Sequence, residues 1–509
     1  MSSRDGFSWT QEQGLKPGVP CIGAIQPPTN LNNASPDVFD VIVVGAGYCG
    51  LTASRDTSVS GKSIFPRAYS RLLTLPSTGL KVLLLEGRDR IGGRSWSSNM
   101  GGYPFEMGGT WVYWGQPNVW REILRYQMQD ELEVSYDFSR GVNQYFLASP
   151  DGTQKFSHEE EDAIMDSGLR KLVNVDGDLG RRVIPYPHSA AFTPEALQYD
   201  KISVADRINE IKDSLTPNER IGVEAFVLLC SGGTLETTSL FEFLHWWALC
   251  EYSYDGCIRY LVKYKFRGGQ SSFAIRFFRE ALASGNLTYS FNSPVASVKS
   301  TKDGVTVTTR GGQSYRAKKL ISAMPLNVLN AVTFDPPLLR GKKTAADIGH
   351  VNQCIKVHAE VRDKDLRSYT GISYPHNNLY YALGDGTTPA GNTHIVAFGG
   401  THQHFHPEDN IDETKKALQG LVPMDIKRIV FHNWSRDEFA KGAWFFSAPG
   451  LLSSHLSDMR AQQGNLYFAS SDWALGWRSF IDGAIEEGTR AAMSVRRDLV
   501  ESPAKPKLA

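Results

Sequence analysis

The chain has 509 residues, 41% of them hydrophobic and 11% aromatic, which suffices for a large core and predicts two or three domains. The 54 Lys and Arg residues balance the 54 Asp and Glu residues, so no basic excess favours a nucleic acid or an anionic membrane as partner. No apolar run approaches the roughly 20 residues of a spanning helix, and the six cysteines are scattered without a C-x-x-C pair. We therefore expect an intracellular protein with reduced thiols, no metal site and no membrane segment.

The first predicted element is a buried strand that ends in a glycine-rich turn. A polar arm, residues 1–37, precedes the strand at residues 40–44, and a G-x-G-x-x-G turn with Gly45, Gly47 and Gly50 follows it. The first glycine allows a tight turn, the second lets backbone approach a diphosphate, and the third lets the next helix pack closely on the strand. The N–H groups at the start of that helix attract phosphate. This order of strand, turn and helix predicts a Rossmann-like dinucleotide site.

The second predicted strand lies further from the glycine-rich turn than a dinucleotide-binding unit requires. It covers residues 81–86, and Glu86 at its end is placed to accept hydrogen bonds from ribose hydroxyls. The expected offset from the glycines is about 20 residues, and Glu86 follows Gly50 by 36. The excess coincides with residues 62–79, which contain two prolines and no clear period. We interpret this insertion as a surface loop or as foreign to the fold; one hypothesis is a retained intron, which sequencing of the natural transcript would test.

Two double-glycine turns follow the second strand. The first begins at Arg88 and ends at Arg94, and the second contains Gly108, Gly109 and Thr110. Such turns suit a second close approach of backbone to a cofactor, and the two arginines could clamp a diphosphate. The alternative is solvent-exposed arginine in an ordinary turn, which two such turns beside a nucleotide motif disfavour.

The middle of the chain predicts helices and then a β-meander. Residues 204–215 and 217–230 show helical spacing of apolar residues. Residues 241–249 are strongly apolar and aromatic, which favours core or pocket wall, and we interpret His245 within them as a hydrogen-bonded core histidine. The three predicted strands of the meander are residues 295–298, 305–310 and 314–322.

The last third contains a lysine in an apolar strand. Lys356 is either an edge charge or a buried functional amine, and the strand alone does not decide between them. A polar stretch rich in Gly and Asn occupies residues 374–400. A strand at residues 465–470 and a helix at residues 482–499 close the fold before a polar tail, residues 501–509.

The linked motifs resemble the flavin-containing monoamine oxidase family, its fungal members most closely. The glycine turn, Glu86, both double-glycine turns and residues 482–492 occur in the family's order and spacing. The resemblance implies an α/β fold (α+β mixed), with a Rossmann-like FAD-binding domain interleaved with a substrate domain of mixed sheet and helices. The implied FAD-binding domain comprises residues 38–112, 266–340 and 440–500, and the substrate domain comprises residues 113–265 and 341–439.

The resemblance implies FAD as the cofactor. By position, Glu86 would hold the adenosine ribose, and Arg88 and Arg94 would lie on the diphosphate and ribityl side. Covalently flavinylated relatives carry a Cys where this chain has Ala443, so the FAD would be bound non-covalently. The other implied contacts are the backbone of Val295 at the adenine end, and Ala484, Ile485 and Glu486 beside the ribityl chain and the flavin ring.

The resemblance also implies three catalytic residues. Trp444 and Phe480 match two aromatic rings that stand face to face before the flavin, where they exclude water and position a neutral amine. Lys356 matches the family's active-site lysine, which would hold a water near flavin N5 and assist the reaction with O2.

The implied activity is the conversion of a primary amine, O2 and water to an aldehyde, ammonia and hydrogen peroxide. The alternatives are a flavin oxidase of polyamines or L-amino acids, an NAD-dependent dehydrogenase on the same nucleotide motif, and a product inactivated by the insertion at residues 62–79. The resemblance is also compatible with a homodimer. We expect a peroxisomal or cytoplasmic location, because a terminal Lys507-Leu508 is followed by Ala509 instead of ending the chain as a peroxisomal signal would.

Overall fold

The computed structural model describes residues 5–59, 79–189, 193–400 and 405–500. The insertion at residues 62–79 lies outside these ranges except for Gly79, and the polar tail at residues 501–509 lies outside them entirely. Within these ranges no helix is both long and apolar enough to cross a membrane.

The strands are, in chain order, β1 (Phe7–Thr10), β2 (Gly14–Pro17), β3 (Val38–Val44), β4 (Val82–Leu85), β5 (Ser97–Met100), β6 (Tyr103–Glu106), β7 (Leu132–Val134), β8 (Gln144–Ser149), β9 (Gly152–Ser157), β10 (Tyr264–Phe266), β11 (Leu287–Ser290), β12 (Val295–Thr301), β13 (Gly304–Thr309), β14 (Ser314–Ser322), β15 (Thr333–Asp335), β16 (Cys354–Val361), β17 (Tyr369–Ile372), β18 (Leu379–Thr387), β19 (Thr393–Gly400), β20 (Ile426–His432) and β21 (Leu466–Phe468).

The α-helices are α1 (Tyr48–Ser58), α2 (Pro117–Arg125), α3 (His158–Val173), α4 (Pro194–Asp200), α5 (Val204–Ile211), α6 (Pro217–Ser231), α7 (Leu240–Leu249), α8 (Tyr254–Val262), α9 (Gln270–Ala283), α10 (Arg340–Ile348), α11 (Ile411–Leu421), α12 (Leu451–Arg460) and α13 (Ile481–Val500).

A sheet with a parallel centre contains the glycine-rich turn. Its order is β11-β4-β3-β14-β13-β12-β15, and β21 pairs with the end of β14. The strands β11, β4, β3 and β14 run parallel, and all four residues of β4 are buried because helices cover the sheet. The predicted meander is confirmed as β12, β13 and β14, which pair antiparallel in sequence order.

Helix α1 is buried over its whole length and packs between α9 and α13. Its last carbonyl groups are satisfied by the guanidinium of Arg496, which donates from Nε to Asp56 O at 2.7 Å and from Nη2 to Thr57 O at 2.8 Å. The amide of Leu80 also donates to Thr57 O, at 3.0 Å. The described chain therefore resumes beside the point where α1 ends.

A second sheet forms the other half of the molecule, in the order β2-β1-β20-β16-β19-β18-β17-β8-β9. Residues 7–17 of the predicted arm supply its edge hairpin, β1 and β2. Strand β16 lies between β20 and β19, and Lys356 on it is only 4% exposed, so it is a buried amine and not an edge charge.

Residues 374–400, which look merely polar in sequence, contain the buried hairpin of β18 and β19. Glycines interrupt the alternation of apolar residues that would indicate these strands. They leave room for neighbouring side chains, since a Cβ on Gly386 would lie 2.0 Å from the hydroxyl of Tyr103. The mixed α/β architecture predicted from the sequence is confirmed, and the helices predicted at residues 204–215 and 217–230 are α5 and α6.

Candidate functional site

A cavity of about 290 Å³, counted as the space open to the centres of water molecules, is lined by residues of both sheets. At one end the carboxyl ends of β3 and β4 contribute the glycine-rich turn and Glu86; at the other, β16, β18 and β19 contribute side chains. Ligand sites of open α/β sheets lie at such carboxyl ends. The predicted site residues that the structure brings together in this lining are Gly45, Gly47, Glu86, Arg88, Arg94, Gly108, Gly109, Thr110, Val295, Lys356, Trp444, Phe480 and Ala484.

The glycine-rich turn forms a backbone cradle at one end of the cavity. Gly45 has a φ of +103°, which favours glycine, and a Cβ on Gly50 would lie 1.8 Å from Gly45 O. Gly47 is the N-cap of α1, makes no side-chain cap hydrogen bond and forms a bridge with Gly92. The first turn of α1 contains no acidic residue. This helix N-terminus, with glycine backbone on both sides, fits an anionic diphosphate.

Glu86 lies beside the cradle at the end of β4. Its carboxylate accepts hydrogen bonds from the amide of Ala46 at 2.6 Å and from the amide of Arg88 at 2.8 Å. Burial raises the pKa of Glu86, while the two amides and the nearby arginines oppose the rise. The carboxyl therefore ties the glycine turn to the first double-glycine turn.

Arg88 is held by two carboxylates of the protein. Its guanidinium pairs with Asp5 and Asp437 and lies 5.0 Å over the ring of Phe439. His432, whose Nε2 lies 2.8 Å from the carboxyl of Asp437, keeps the pKa of that carboxyl well below its usual range, and Arg88 adds to the effect. Arg88 thus lines the cavity as a paired charge and not as an exposed turn arginine.

Arg94 connects two segments of the cavity wall. It donates from Nη1 to Ala443 O at 2.9 Å and from Nη2 to Asp472 Oδ1 at 2.5 Å. This pairing lowers the pKa of Asp472, whose other oxygen accepts from the amide of Leu326 at 2.8 Å. The guanidinium thereby fixes the backbone immediately before Trp444.

Lys356 lies at the opposite end of the cavity. Its Nζ donates to Gly108 O at 2.9 Å and to Thr110 Oγ1 at 2.5 Å, and it lies 4.9 Å over the ring of Trp111 and 5.9 Å over that of Phe398. Burial lowers the pKa of Lys356 to about 8, so part of the lysine is a neutral amine near that pH.

Trp444 and Phe480 both line the cavity, each fixed by different neighbours. The indole of Trp444 donates to Cys230 O at 2.7 Å. The ring of Phe480 packs against Trp246 at 4.6 Å and against Trp477 at 5.0 Å between centroids. Trp444 is therefore held by a hydrogen bond and Phe480 by ring packing, both on the cavity side that contains few polar groups.

The wall around these rings is apolar. The charged side chains among the described lining residues are Glu86, Arg88, Arg94, Arg310, Lys356 and Asp437. All of them except Lys356 belong to the glycine-turn end. The rest of the wall at the lysine end is formed by Tyr136, Phe226, Leu229, Cys230, Trp246, Cys257, Ile258, Leu261, Val262, Tyr381, Leu383 and Phe398.

Three predicted contact residues are not part of the cavity lining. Gly50 serves the packing of α1, and Ile485 is fully buried in the core beside the parallel sheet. Glu486 accepts hydrogen bonds from the amides of Leu475 at 3.0 Å and Gly476 at 3.3 Å. Their predicted contacts with a cofactor remain predictions.

Sequence reasoning missed the acidic partners and the ring below the lysine. Asp437 and Asp472 pair with the two arginines, and no local pattern distinguishes them from other aspartates. Trp111 follows the second double-glycine turn directly, and that adjacency is the one signal that could have indicated it.

His245 is confirmed as a core histidine, since its Nε2 lies 2.7 Å from Pro187 O and its Nδ1 lies 3.1 Å from Arg478. Among the described residues no group of three His, Cys, Asp or Glu could hold a metal ion.

Comparisons with known proteins identify the family and the fold of this chain. The family model for flavin containing amine oxidoreductase matches residues 71–496. Pseudooxynicotine dehydrogenase of a Pseudomonas species is 28% identical over 461 residues, covering 90% of this chain and 86% of that protein. Human flavin-containing amine oxidase B is 24% identical over 497 residues, covering 91% and 87%. The solved structure of cyclohexylamine oxidase from Brevibacterium oxydans superposes with a TM-score of 0.71 at 18% identity. The match covers 91% of this chain and 100% of that chain.

Proposed function

The chain belongs to the flavin-containing amine oxidoreductase family, and from this membership we propose that it oxidises apolar primary monoamines with non-covalently bound FAD and O2. The products would be an aldehyde, ammonia and hydrogen peroxide. The observation that carries the choice of substrate is the apolar wall, in which Lys356 supplies the one charge among the described lining residues of that end.

The residues present fit FAD. The backbone cradle of Gly45 and Gly47 suits a diphosphate, and Glu86 lies beside it as an acceptor for ribose hydroxyls. Ala443 offers no thiol for a covalent link to the flavin. When bound, FAD would supply the two-electron acceptor for the amine C–H bond and pass the electrons to O2. The protein's own contribution is binding, orientation and exclusion of water.

The apolar wall selects against two of the rival substrates. A polyamine carries a second ammonium group, and burying it without a carboxylate partner is costly. An amino acid carries a carboxylate that would need a cation such as arginine. The one cation among the described lining residues of this end is Lys356, and two of its N–H groups already bond to Gly108 O and Thr110 Oγ1. A single apolar chain with one amine matches this lining best.

Lys356 favours a neutral amine at the reacting position. Two of its N–H groups are used by Gly108 O and Thr110 Oγ1, so at most one further position on Nζ faces the cavity. When Lys356 is protonated it repels an ammonium ion, and the rings of Trp444 and Phe480 keep water from solvating one. Both effects support a deprotonated amine, whose lone pair assists oxidation of the adjacent carbon.

The first test is the visible spectrum of the purified protein, followed by anaerobic addition of amines. We expect a yellow protein whose flavin band bleaches with hexylamine, and at least about tenfold slower bleaching with spermine or leucine, because each of these two forfeits about 1.4 kcal/mol or more in this wall. N-methylhexylamine tests the proposed preference for primary amines. Admission of air should restore the band and yield hydrogen peroxide.

Other outcomes would contradict the proposal. Fastest bleaching by spermine or leucine would assign a polyamine or amino acid oxidase, and fastest bleaching by N-methylhexylamine would exclude a preference for primary amines. A colourless protein that binds NAD would identify a dehydrogenase on the same nucleotide motif.

A further inference from the structure

One buried ion pair is connected to Lys356 through the ring of Trp111. We propose that Asp385 of this pair is a positioning residue: through Ser135 it holds the indole on which the amine of Lys356 rests. The inference rests on the proposed function and on the role that the resemblance implies for Lys356, which is to assist the reaction of reduced flavin with O2.

The ion pair is fully enclosed. Lys265 Nζ donates to Asp385 Oδ2 at 2.8 Å, to Asp385 O at 2.8 Å and to Tyr103 Oη at 2.9 Å, which uses all three of its donors. Lys265 and Asp385 are each 2% exposed. The carboxylate is therefore a fixed negative charge in a medium of low dielectric constant, where its field extends further than in water.

The second oxygen of Asp385 leads to the cavity. Its Oδ1 accepts from the hydroxyl of Ser135, and Ser135 Oγ accepts from Trp111 Nε1 at 2.8 Å. The face of Trp111 carries Lys356 Nζ at 4.9 Å. Each link of this chain is a directional contact between buried or half-buried groups, so Asp385 determines how the indole presents its face to the amine.

The histidines beside the pair carry no charge. Burial lowers the pKa of His358 well below its usual value and that of His394 to about 4. His358 Nε2 lies 2.8 Å from Glu106 O and must donate, so its Nδ1 accepts from His394 Nε2 at 2.8 Å. His394 Nδ1 lies 3.0 Å from Tyr103 Oη and 3.0 Å from Asp385 Oδ2, so this histidine contacts the ion pair directly.

The remaining groups that face Lys356 come from four neighbouring strands and its own. They are Glu106 on β6, Lys265 on β10, Asp385 on β18, His432 on β20, which is bound to Asp437, and the thiol of Cys354 on β16.

Among these groups, Asp385 is the carboxylate that stays ionised. Both carboxylates, Asp385 and Glu106, oppose the lowering of the pKa of Lys356 by burial, while Lys265 adds to it. Burial raises the pKa of Glu106 to about 7, so that carboxyl is only partly ionised at neutral pH. Asp385 stays ionised throughout, because Lys265 holds its pKa well below the usual range.

The test measures flavin reoxidation, which needs no amine. Flavin is reduced by light and EDTA, mixed with air-saturated buffer between pH 6 and 10, and its reoxidation rate is followed at the flavin band. We expect one titration with a midpoint near the pKa of Lys356, about 8, which Lys356→Met abolishes. In Asp385→Asn the midpoint should fall by about one pH unit, because a negative charge that favours the protonated form of Lys356 has been removed.

Two variants separate the roles of charge and contact. Ser135→Ala keeps the charge and cuts the link to Trp111, so the rate should fall while the midpoint stays within about 0.3 pH unit. Asp385→Asn alone leaves Lys265 as an unpaired buried charge and endangers folding. The double variant Asp385→Asn/Lys265→Met removes both charges, and its midpoint should still fall, since Asp385 acts on Lys356 more strongly than Lys265 does.

The outcomes distinguish this proposal from the proposed function. A colourless wild-type protein contradicts the proposed function. A yellow protein whose titration survives Lys356→Met, or whose midpoint is the same in both Asp385→Asn variants as in wild type, overturns the positioning role. If neither Asp385 variant retains flavin while Ser135→Ala does, the pair is a requirement of folding and the positioning role is rejected.

Discussion

The two ends of the cavity are built in opposite ways. At the glycine-turn end the polar side chains are already paired within the protein: Glu86 with backbone amides, Arg88 with Asp5 and Asp437, and Arg94 with Asp472. At the lysine end the wall is apolar, and Lys356 is the one charge among its described residues.

The difference shows where each end obtains its specificity. The glycine-turn end presents backbone in a shape that depends on the absence of Cβ atoms, so it tolerates little change in the chain itself. The lysine end presents side chains on a stable sheet, where substitution alters the lining without altering the fold. Variants at the two ends should therefore fail in different ways.

The largest effect is expected from Gly50→Ala. A Cβ at this position would lie 1.8 Å from Gly45 O, which is backbone and cannot rotate away. Helix α1 would have to shift from the sheet, at a cost of about 3 kcal/mol or more. We expect little soluble protein, and what folds should be colourless and melt at a lower temperature by differential scanning fluorimetry.

Gly47→Ala is the matched control in the same turn. A Cβ there would meet only Gly93 Cα, at an ordinary contact distance of 3.7 Å, so the fold should be retained. The methyl group would enter the cradle proposed for the diphosphate, and FAD affinity should fall about tenfold, or about 1.4 kcal/mol. A stable and fully yellow Gly47→Ala protein, titrated by flavin fluorescence, would show that the cradle does not bind the diphosphate.

At the lysine end, Trp444→Ala should damage turnover and spare the cofactor. Removing the indole opens the wall to water and releases the substrate from its position, so kcat/KM for hexylamine should fall about 100-fold. The flavin spectrum and the melting temperature should change little, in contrast to Gly50→Ala. The control Trp444→Phe keeps a ring but loses the hydrogen bond to Cys230 O, and we expect a decrease of about fivefold.

Loss of flavin in Trp444→Ala would contradict the assignment of the cofactor to one end of the cavity and the substrate to the other. It would mean that the indole supports the cofactor as well as the substrate. Unchanged kcat/KM would instead remove Trp444 from the proposed active site.

Much of this cavity could be predicted because its residues lie in contiguous motifs. The glycine turn, Glu86 and the double-glycine turns are close in sequence, and their spacing reflects backbone geometry that few sequences can adopt. The same holds for the meander and for α13, whose period is regular over many residues. The positions of Lys356, Trp444 and Phe480 followed from the resemblance and not from any local pattern.

The partners of those residues could not be predicted, because they come from distant segments. Asp437 meets Arg88, and Asp385 reaches Trp111 through Ser135, across sequence separations that no spacing rule covers. The hairpin of β18 and β19 escaped notice for a related reason: its glycines make room for Tyr103, and such a requirement appears only when the chain is folded.

A smaller effect is expected from Glu161→Gln, behind the apolar wall. Glu161 is 1% exposed and near Tyr136 and Tyr381, which line the lysine end, and its Oε1 accepts from Tyr254 at 3.3 Å. Burial raises its pKa to about 8, so the folded state favours the neutral acid. The stability it provides is present below its ordinary pKa of 4.5 and is lost as pH rises to about 8.

Glutamine stays neutral, so the stability of the variant relative to wild type should rise between pH 5 and 8 and show no further gain above pH 8. Melting temperatures across this range provide the measurement. Glu159→Gln, at an exposed position of the same helix, should show no such rise. A pH-independent difference for Glu161→Gln would show that His158, whose Nδ1 lies 3.2 Å from Glu161 Oε2, is charged beside it, and that the region behind the apolar wall contains an ion pair.

The smallest effect is expected at the glycine-turn end, from deleting residues 62–79. The described chain leaves α1 and resumes at a point where Leu80 already donates to Thr57 O at 3.0 Å, while Arg496 holds the last carbonyls of the helix. Joining Gly61 to Leu80 preserves these contacts, and shortening a loop changes its closure entropy by only about 0.6 kcal/mol per factor of two in length. We expect the same flavin spectrum and a melting temperature within about 3 °C of the parent.

Deleting residues 62–80 also removes Leu80, and this control should melt lower. A parent that is colourless and a deletion protein that is yellow would show instead that the insertion inactivates the glycine-turn end.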